Sequence, residues 1–115
     1  MQEPGRHTIA RNTMLRFAQK TGLSPCSSSP VRYLWTDAYA VCNFLELHRR
    51  TNDRDYLRLA LDLVEQVHET LGRHREDDKR EGWISGLPER DGQLHPTAGA
   101  LRIGKTLPDR KPYEP

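Results

Sequence analysis

The sequence predicts an all-α fold, with an antiparallel hairpin of two long helices, one helix before it and a long irregular segment after it. Apolar residues recur at helical spacing within residues 7–21, 37–50 and 54–71, and only three polar residues separate the last two of these patterns, which are the strongest. After residue 72, glycine and proline become frequent and the periodicity ends. We therefore divide the 115 residues into a helical region, 1–72, and an irregular segment, 73–115.

The first predicted helix covers residues 7–21. The apolar residues near one of its sides are Ile9, Met14, Phe17 and Ala18. Gly22 follows, at the position where a left-handed C-terminal cap is expected. Residues 23–30 contain two prolines and four serines, so they predict a connector rather than a continuing helix.

The second predicted helix runs from about residue 37 to about residue 50. Thr36 can cap it, and Asp37 falls in its first turn, where a carboxylate meets the positive end of the helix dipole. The main apolar stripe is Ala38, Val41, Cys42 and Leu45, widened by Ala40, Phe44 and Leu47. Since more than half of the circumference is apolar, we expect this helix to lie between two layers.

The third predicted helix covers residues 54–71, after a short break at Thr51–Asp53 in which Asn52 or Asp53 can act as the cap. Its main stripe is Leu57, Ala60, Leu61, Val64, Val67, His68 and Leu71, with Leu59 and Leu63 beside it and Gly72 at the end. So short a link predicts an antiparallel αα-hairpin. If Leu61 is central, Leu61→Ala is expected to cost ~2–4 kcal/mol.

The irregular segment contains five glycines and five prolines, which interrupt every window long enough for a helix. A short strand or turn around Trp83–Ser85 is the only regular structure expected there. A loop of this length inside a small domain is typical of a functional loop or of a segment separated from its context.

Composition narrows the function classes. Hydrophobic residues make up 35% of the chain, and 18 basic residues are interspersed with 16 acidic ones, which argues against a nucleic-acid surface. No apolar run could form a signal peptide or a membrane span, so we expect a cytoplasmic protein without membrane contact. The two cysteines, Cys26 and Cys42, are expected to be reduced, and the scattered histidines predict no metal site; no cofactor is expected.

The stretch from Val31 to Val64 resembles the repeating hairpin of the six-hairpin glycosidase-like superfamily. The family's unit is an apolar inner helix, a Thr-Gly-Asp-like turn, a Tyr-Leu pair and an alanine three residues later. Here the turn is Thr51–Asp53, the pair is Tyr56-Leu57 and the alanine is Ala60. Counting Gly82–Pro88 and His95–Gly104 as loops between hairpins, the resemblance extends over about residues 31–104.

This resemblance implies a ring of six hairpins, an α/α toroid, whose inner helices surround a cavity and whose loops bind sugars. The chain has one clear hairpin, so the resemblance implies part of a toroid, an N-terminal fragment of such a protein. Its function would then be carbohydrate binding or processing in the full-length context. Exposed apolar faces would be covered by missing hairpins or by self-association.

Three residues are candidates for contact with a sugar: Trp35, Asp37 and Trp83. Aromatic faces pack against the apolar side of a pyranose, and a carboxylate can act as general acid or base. Each also has a structural interpretation, because the tryptophans can fill junctions between loops and hairpin and Asp37 can serve the helix N-terminus. Glycoside hydrolysis normally needs two carboxylates, and Asp37 has no identifiable partner in the sequence. The catalytic residues are therefore unassigned, with Asp37 as the one candidate.

The alternative function is a helical-repeat interaction module without catalytic activity. Tyr56 followed by Ala60 resembles the second helix of a tetratricopeptide unit, although no second 34-residue copy is present.

Residues 99–106 also match the phosphate-loop pattern G-x-x-x-x-G-K-[ST]. That loop requires a preceding strand and a following helix, and Pro96 and Pro108 argue against both.

Overall fold

The computed structural model describes residues 4–27, 30–75 and 77–104. Within these ranges the chain is all-α, as predicted, and forms no strand. The elements are α1 (Pro4–Thr21), α2 (Leu34–Thr51), α3 (Arg54–Leu71) and α4 (Glu89–Leu94). α2 and α3 pack as a helical hairpin, and α1 packs on α2.

The link between α2 and α3 stops one helix and starts the next within two residues. Asn52 adopts a left-handed conformation, φ 60°, and its N–H donates to the His48 carbonyl at 2.7 Å. The Asp53 carboxylate then accepts from the Asp55 N–H at 2.9 Å. The predicted range of α3, residues 54–71, is confirmed, and of the two predicted candidates for its cap, Asn52 and Asp53, it is Asp53 that caps the helix.

α2 starts three residues earlier than predicted, because Thr36 is not its cap. The residue before the helix is Tyr33, whose own side chain makes no capping bond. Instead, the Asp37 carboxylate reaches back and accepts from the Tyr33 N–H at 2.9 Å. Asp37 lies in the first turn, as predicted, but it satisfies a backbone donor outside the helix.

α1 likewise begins before its predicted start, at Pro4. A proline is favourable in the first turn because the N–H that it lacks would have no helical partner there. The predicted left-handed conformation of Gly22 is confirmed, with φ +81°. Phe17 of α1 meets Phe44 of α2 at 6.5 Å between ring centroids, which fixes the first helix against the hairpin.

The core lies between α2 and α3 and beneath α1. Phe44 and Leu63 are 0% exposed and stand at its centre. The other buried apolar residues of this cluster are Met14, Ala18, Leu23, Ala40, Leu47, Tyr56, Ala60, Val67 and Leu71.

The predicted main stripe of α2 is wrong for three of its four members, since Ala38, Cys42 and Leu45 are exposed, whereas that of α3 is wrong only for Leu61. Leu61 of α3 is 61% exposed and Leu45 of α2 is 43% exposed, whereas Leu63 and Phe44, predicted to lie beside the stripes, are fully buried. Both helices carry apolar residues on two sides, and helical periodicity alone does not indicate which side a third helix covers. Because Leu61 is not central, the structure predicts a small effect for Leu61→Ala in place of the ~2–4 kcal/mol expected from the sequence.

The segment after α3 folds back onto the hairpin. Arg73 and Trp83 form an isolated antiparallel bridge, and a turn follows it, as expected around Trp83–Ser85. Further on, the Arg102 N–H donates to the Leu71 carbonyl at 2.8 Å and the Leu34 N–H donates to the Ile103 carbonyl at 2.8 Å. Residues 102–103 therefore join the end of α3 to the start of α2.

The prediction of no helix after residue 72 is wrong, because α4 fits between Pro88 and Pro96. Gly92 lies inside α4 although glycine is a poor helix former. A Cβ at this position would overlap the Trp83 indole ring. The glycine therefore allows α4 to lie directly on Trp83.

Candidate functional site

Asp37, the candidate catalytic residue, is 1% exposed and its carboxylate faces the protein interior. Its Oδ2 accepts the Tyr33 N–H, and its Oδ1 lies 3.6 Å from Nη1 of Arg32. Burial raises the pKa of Asp37, and the nearby Arg32 charge and the Tyr33 hydrogen bond offset that rise in part. Both carboxylate oxygens therefore serve the start of α2.

Arg32 is as deeply buried as its partner, with a side chain 0% exposed. Its guanidinium donates to the carbonyls of Val31 at 3.0 Å and Thr21 at 3.2 Å, and lies 5.7 Å from the Phe17 ring centroid. Burial lowers the pKa of Arg32, partly opposed by Asp37. The Arg32–Asp37 pair thus ties the end of α1, the connector and α2 together, which is a structural role.

Trp83 is 3% exposed, and both faces of its indole ring are covered. The Arg73 guanidinium lies 4.1 Å from the ring centroid, a cation–π contact, and Gly92 of α4 lies against the ring. Because no face is open to solvent, the ring has no surface on which a sugar could stack in this conformation.

Arg73 organises the region around Trp83. Its guanidinium donates to Glu69 of α3 at 2.7 Å and to both carboxylate oxygens of Glu89 at the start of α4. These hydrogen bonds raise the pKa of Arg73, and the bond from Arg73 lowers the pKa of Glu89. The Arg102 guanidinium also donates to the Arg73 carbonyl at 2.6 Å. This network holds α4 and the segment 101–104 on the C-terminal end of α3.

Trp35 differs from the other two candidates because its ring is 60% exposed. Two residues of α-helix correspond to about 200° of rotation, so Trp35 and Asp37 face opposite sides of α2. The structure therefore places Trp35 and Asp37 in one helical turn but not in one cleft. Trp83 lies apart from them, among Arg73, Gly72 and Gly92.

Tyr39 is the residue that the sequence analysis missed. It is 73% exposed and follows Trp35 by four residues, so the two rings project from the same side of α2, with Cβ atoms about 5–6 Å apart. Ala38, Cys42 and Leu45 continue this side. We call these five residues the outer face of α2. The i, i+4 spacing of two aromatic residues was visible in the sequence and could have identified the pair.

A groove lies beside the outer face, where α1 crosses α2. It has a volume of about 440 Å³, with Met14, Leu47 and Ala10 as its apolar part and Asn43, Glu46 and Arg50 among its polar lining. Glu46 accepts from Arg49 at 2.6 Å and from Arg50 at 2.8 Å, and these bonds lower its pKa to about 2. The Glu46 carboxylate is therefore already bonded to two arginines at the edge of this groove.

Other kinds of site find little support in the described residues. No group of three or more histidine, cysteine, aspartate or glutamate residues there could hold a metal ion. None of the described helices combines the length and apolar character that crossing a membrane requires. Residues 99–104 of the phosphate-loop pattern form turn and irregular structure, and Lys105 and Thr106 lie outside the described residues.

Comparisons of the chain with family models, with curated proteins and with solved structures return no match. The site must therefore be interpreted from its own geometry. Among the residues that the structure describes, that geometry offers an exposed aromatic pair, Trp35 and Tyr39, and a buried ion pair, Arg32 and Asp37.

Proposed function

We propose that this chain is a helical-hairpin unit of a larger α/α assembly of the six-hairpin glycosidase-like kind. Its part in that assembly is to bind carbohydrate through Trp35 and Tyr39. The observation that carries this proposal is the exposure of two aromatic rings one helical turn apart on α2, 60% and 73%. Such a pair can stack against two faces along an oligosaccharide.

The second apolar side of α2 supports the assembly part of the proposal. α3 and α1 cover one side of α2, and the outer face lies opposite it without cover among the described residues. In a toroid, that side of an inner helix would look into the central cavity. The outer face then has two uses, since its aromatic end contacts sugar and its remaining apolar residues contact the rest of the assembly.

The proposal assigns no catalytic role to Asp37. Its carboxylate is 1% exposed and bonded to Tyr33 and paired with Arg32, so a substrate could reach it only after α2 had lost its start. Catalysis in the assembled protein would then depend on carboxylates outside this hairpin.

Nuclear magnetic resonance of the two tryptophan side chains tests sugar binding directly. Trp35 is exposed and Trp83 is buried, so the indole N–H signal of Trp35 should shift on titration with oligosaccharides of glucose, xylose or N-acetylglucosamine. The Trp83 signal is the internal reference. Tyr39→Ala should abolish the Trp35 shift, and Trp35→Ala, which removes the reporting signal, should abolish the heat of binding in calorimetry. Leu61→Ala, which removes an exposed apolar side chain from α3, should abolish neither.

A titration in which neither indole signal moves with any of these sugars contradicts the carbohydrate part of the proposal. So does a Trp35 shift that survives Tyr39→Ala, or a heat of binding that survives Trp35→Ala. In either case the outer face is better explained as a contact for protein.

A protein-interaction module is the second candidate, and one observation favours it. Trp35, Ala38, Cys42 and Leu45 follow one another at spacings of three, four and three residues, which suits a helix packing along α2. The flanking coding sequence separates the two candidates. Tandem units of 34 residues would favour the interaction module, and further hairpins at about 50–70 residues would favour the toroid.

A further inference from the structure

The outer face of α2 carries no exposed charge, although the chain as a whole is strongly charged. Charged residues make up 30% of the sequence, yet from Tyr33 to Leu45 the only one is Asp37, which is 1% exposed. On the outer face, Trp35 and Tyr39 are 60% and 73% exposed, and Leu45 is 43% exposed. An apolar face that is unbroken by exposed charge favours contact with another apolar surface.

The spacing of residues along this face is the same in both directions. Successive intervals of three, four and three residues separate Trp35, Ala38, Cys42 and Leu45, so the pattern is symmetric about residue 40. If a second α2 lies antiparallel to the first across a two-fold axis at residue 40, Trp35 lies opposite Leu45 of the second copy and Ala38 lies opposite its Cys42. Small side chains then meet at the centre of the contact, which lets the two helices approach closely.

The charged residues of α2 do not oppose this antiparallel arrangement. Glu46 and Arg49 follow the outer face and are hydrogen-bonded to each other at 2.9 Å. Glu46 lies six residues from residue 40, so the Glu46 positions of two antiparallel helices are about 18 Å apart along the axis. Exposed charges at that separation are largely screened at physiological salt. The face therefore lacks the charge that would repel a second copy.

We propose that the outer face of α2 binds the outer face of a second copy, with the two helices antiparallel, and so forms a symmetric dimer. The five residues of the face leave ~400–500 Å² of apolar surface open on each copy, or ~800–1,000 Å² in a pair. Specific protein interfaces of this total area are at the small end of the range. The dimer should therefore be weak, with a dissociation constant between about 10 µM and about 1 mM.

The dimer and the proposed sugar site use the same two aromatic rings. An oligosaccharide stacked on Trp35 and Tyr39 excludes a second copy, so saccharide and self-association compete for the outer face. This competition rests on the proposed function. The dimer itself does not, because it follows from the spacing of the apolar residues and from the absence of exposed charge between them.

Analytical ultracentrifugation tests the dimer. The average mass should rise with concentration toward twice the monomer value and no further, because a symmetric contact closes on itself. The rise should be as large at about 0.5 M salt as at about 0.05 M, since no exposed charge lies within the face. Ala38→Glu places a carboxylate at the centre of the contact and should weaken association at least about tenfold. Ala98→Glu makes the same change at an exposed position after α4 and should leave association unchanged.

Disulfide cross-linking tests the antiparallel register. In a chain that carries Cys26→Ser, Ala38→Cys places a thiol opposite the native Cys42 of the second copy, so oxidised glutathione should produce a covalent dimer. Adding Cys42→Ser should largely remove this product, because in this register the two copies of residue 38 are offset by about 6 Å along the helices. Ala98→Cys in the same Cys26→Ser background is the matched control and should give no covalent dimer.

The dimer is overturned if the unmodified chain stays monomeric at about 1 mM, if Ala38→Glu associates as well as Ala98→Glu, or if Ala38→Cys cross-links no more than Ala98→Cys. Failure of sugar binding gives a different result. A Trp35 indole shift with saccharide in a chain that never dimerises contradicts only the dimer. A dimer that saccharide does not dissociate, with no Trp35 shift, contradicts only the carbohydrate proposal. A Trp35 shift that leaves the dimer intact contradicts the shared face.

Discussion

The inward and outward sides of the α2–α3 hairpin are both apolar, but only one is covered. Inward, Phe44 and Leu63 are 0% exposed. Outward, Trp35 is 60% exposed and Leu61 is 61% exposed. Both sides are therefore apolar, and they differ in what lies against them: α1 and the facing helix cover the inward side closely, whereas Trp35 and Leu61 on the outward side stay largely open to solvent. Apolar character predicts a surface that needs a partner, and only tertiary structure decides which surface finds it within the chain.

The charged residues show the same division. Asp37 lies inward, and burial raises its pKa. Glu46 lies on the surface of the same helix, and hydrogen bonds from Arg49 and Arg50 lower its pKa to about 2. Asp37 and Glu46 lie less than three helical turns apart, yet the fold shifts their pKa values in opposite directions.

The largest expected difference between the two sides comes from the same substitution made on each. Leu63→Ala removes a fully buried side chain and should lower the free energy of unfolding by ~2–5 kcal/mol. Leu61→Ala, two residues earlier in the same helix, removes an exposed side chain and should change it by no more than ~0.5 kcal/mol. Chemical denaturation followed by circular dichroism measures both.

Equal losses for the two variants would contradict the assignment of the inward side. A loss confined to Leu61→Ala would mean that α3 is rotated and that the predicted stripe was correct. Since both substitutions replace leucine by alanine inside one helix, the difference in helix propensity cancels between them.

The fold class and the limits of α3 could be predicted because they depend on local chemistry, whereas α1 and α2 each start three residues before their predicted starts. Asp53 starts α3 and Gly22 follows the end of α1 through local backbone geometry, which does not depend on how the helices pack. Both predicted ends of α3 agree with the structure. The face of each helix could not be predicted. It depends on α1 covering Phe44, a contact between residues far apart in sequence. α4 was missed because Gly92 is explained only by Trp83 beneath it.

The sequence identified residues of the candidate site that are neighbours along the chain, but not the contacts that folding brings to them. Trp35 and Asp37 are neighbours in sequence, and the sequence could not show that Arg32 would draw Asp37 into the interior. Tyr39 was overlooked, although its spacing from Trp35 places both rings on one side of a helix. The contribution of Trp83 to packing follows from Arg73 and Gly92, which only the folded chain brings against its ring.

The next largest effect should come from the buried ion pair. Asp37→Ala leaves the Arg32 charge buried without a partner and removes the acceptor of the Tyr33 N–H, so we expect a loss of ~3 kcal/mol in the free energy of unfolding. Asp62→Ala, at an exposed position of α3, is the control and should change it by less than ~0.5 kcal/mol.

The pH dependence of this loss sharpens the test. Because the folded pKa of Asp37 is raised, the folded state binds the proton more readily than the unfolded state. The contribution of Asp37 is therefore full below its unfolded pKa, near 3.9, and declines as the pH rises through the folded pKa. The difference between the unmodified chain and Asp37→Ala should be larger in mild acid than at neutral pH. A difference that shrinks on acidification would mean that the attraction of Arg32 outweighs burial.

The smallest effect should come from Glu46, on the outward rim, and it should have the opposite sign. Its folded pKa of about 2 lies below the ordinary value of 4.5, so its contribution is present above pH 4.5 and is lost as the pH falls toward 2. The melting temperature of the unmodified chain should exceed that of Glu46→Gln at neutral pH and low salt, and the two should converge in acid. Added salt at neutral pH should reduce the gap, since the Glu46, Arg49 and Arg50 side chains are 45–69% exposed. A gap that persists in acid and in salt would show that Glu46 acts by packing in the groove between α1 and α2, and not through its charge.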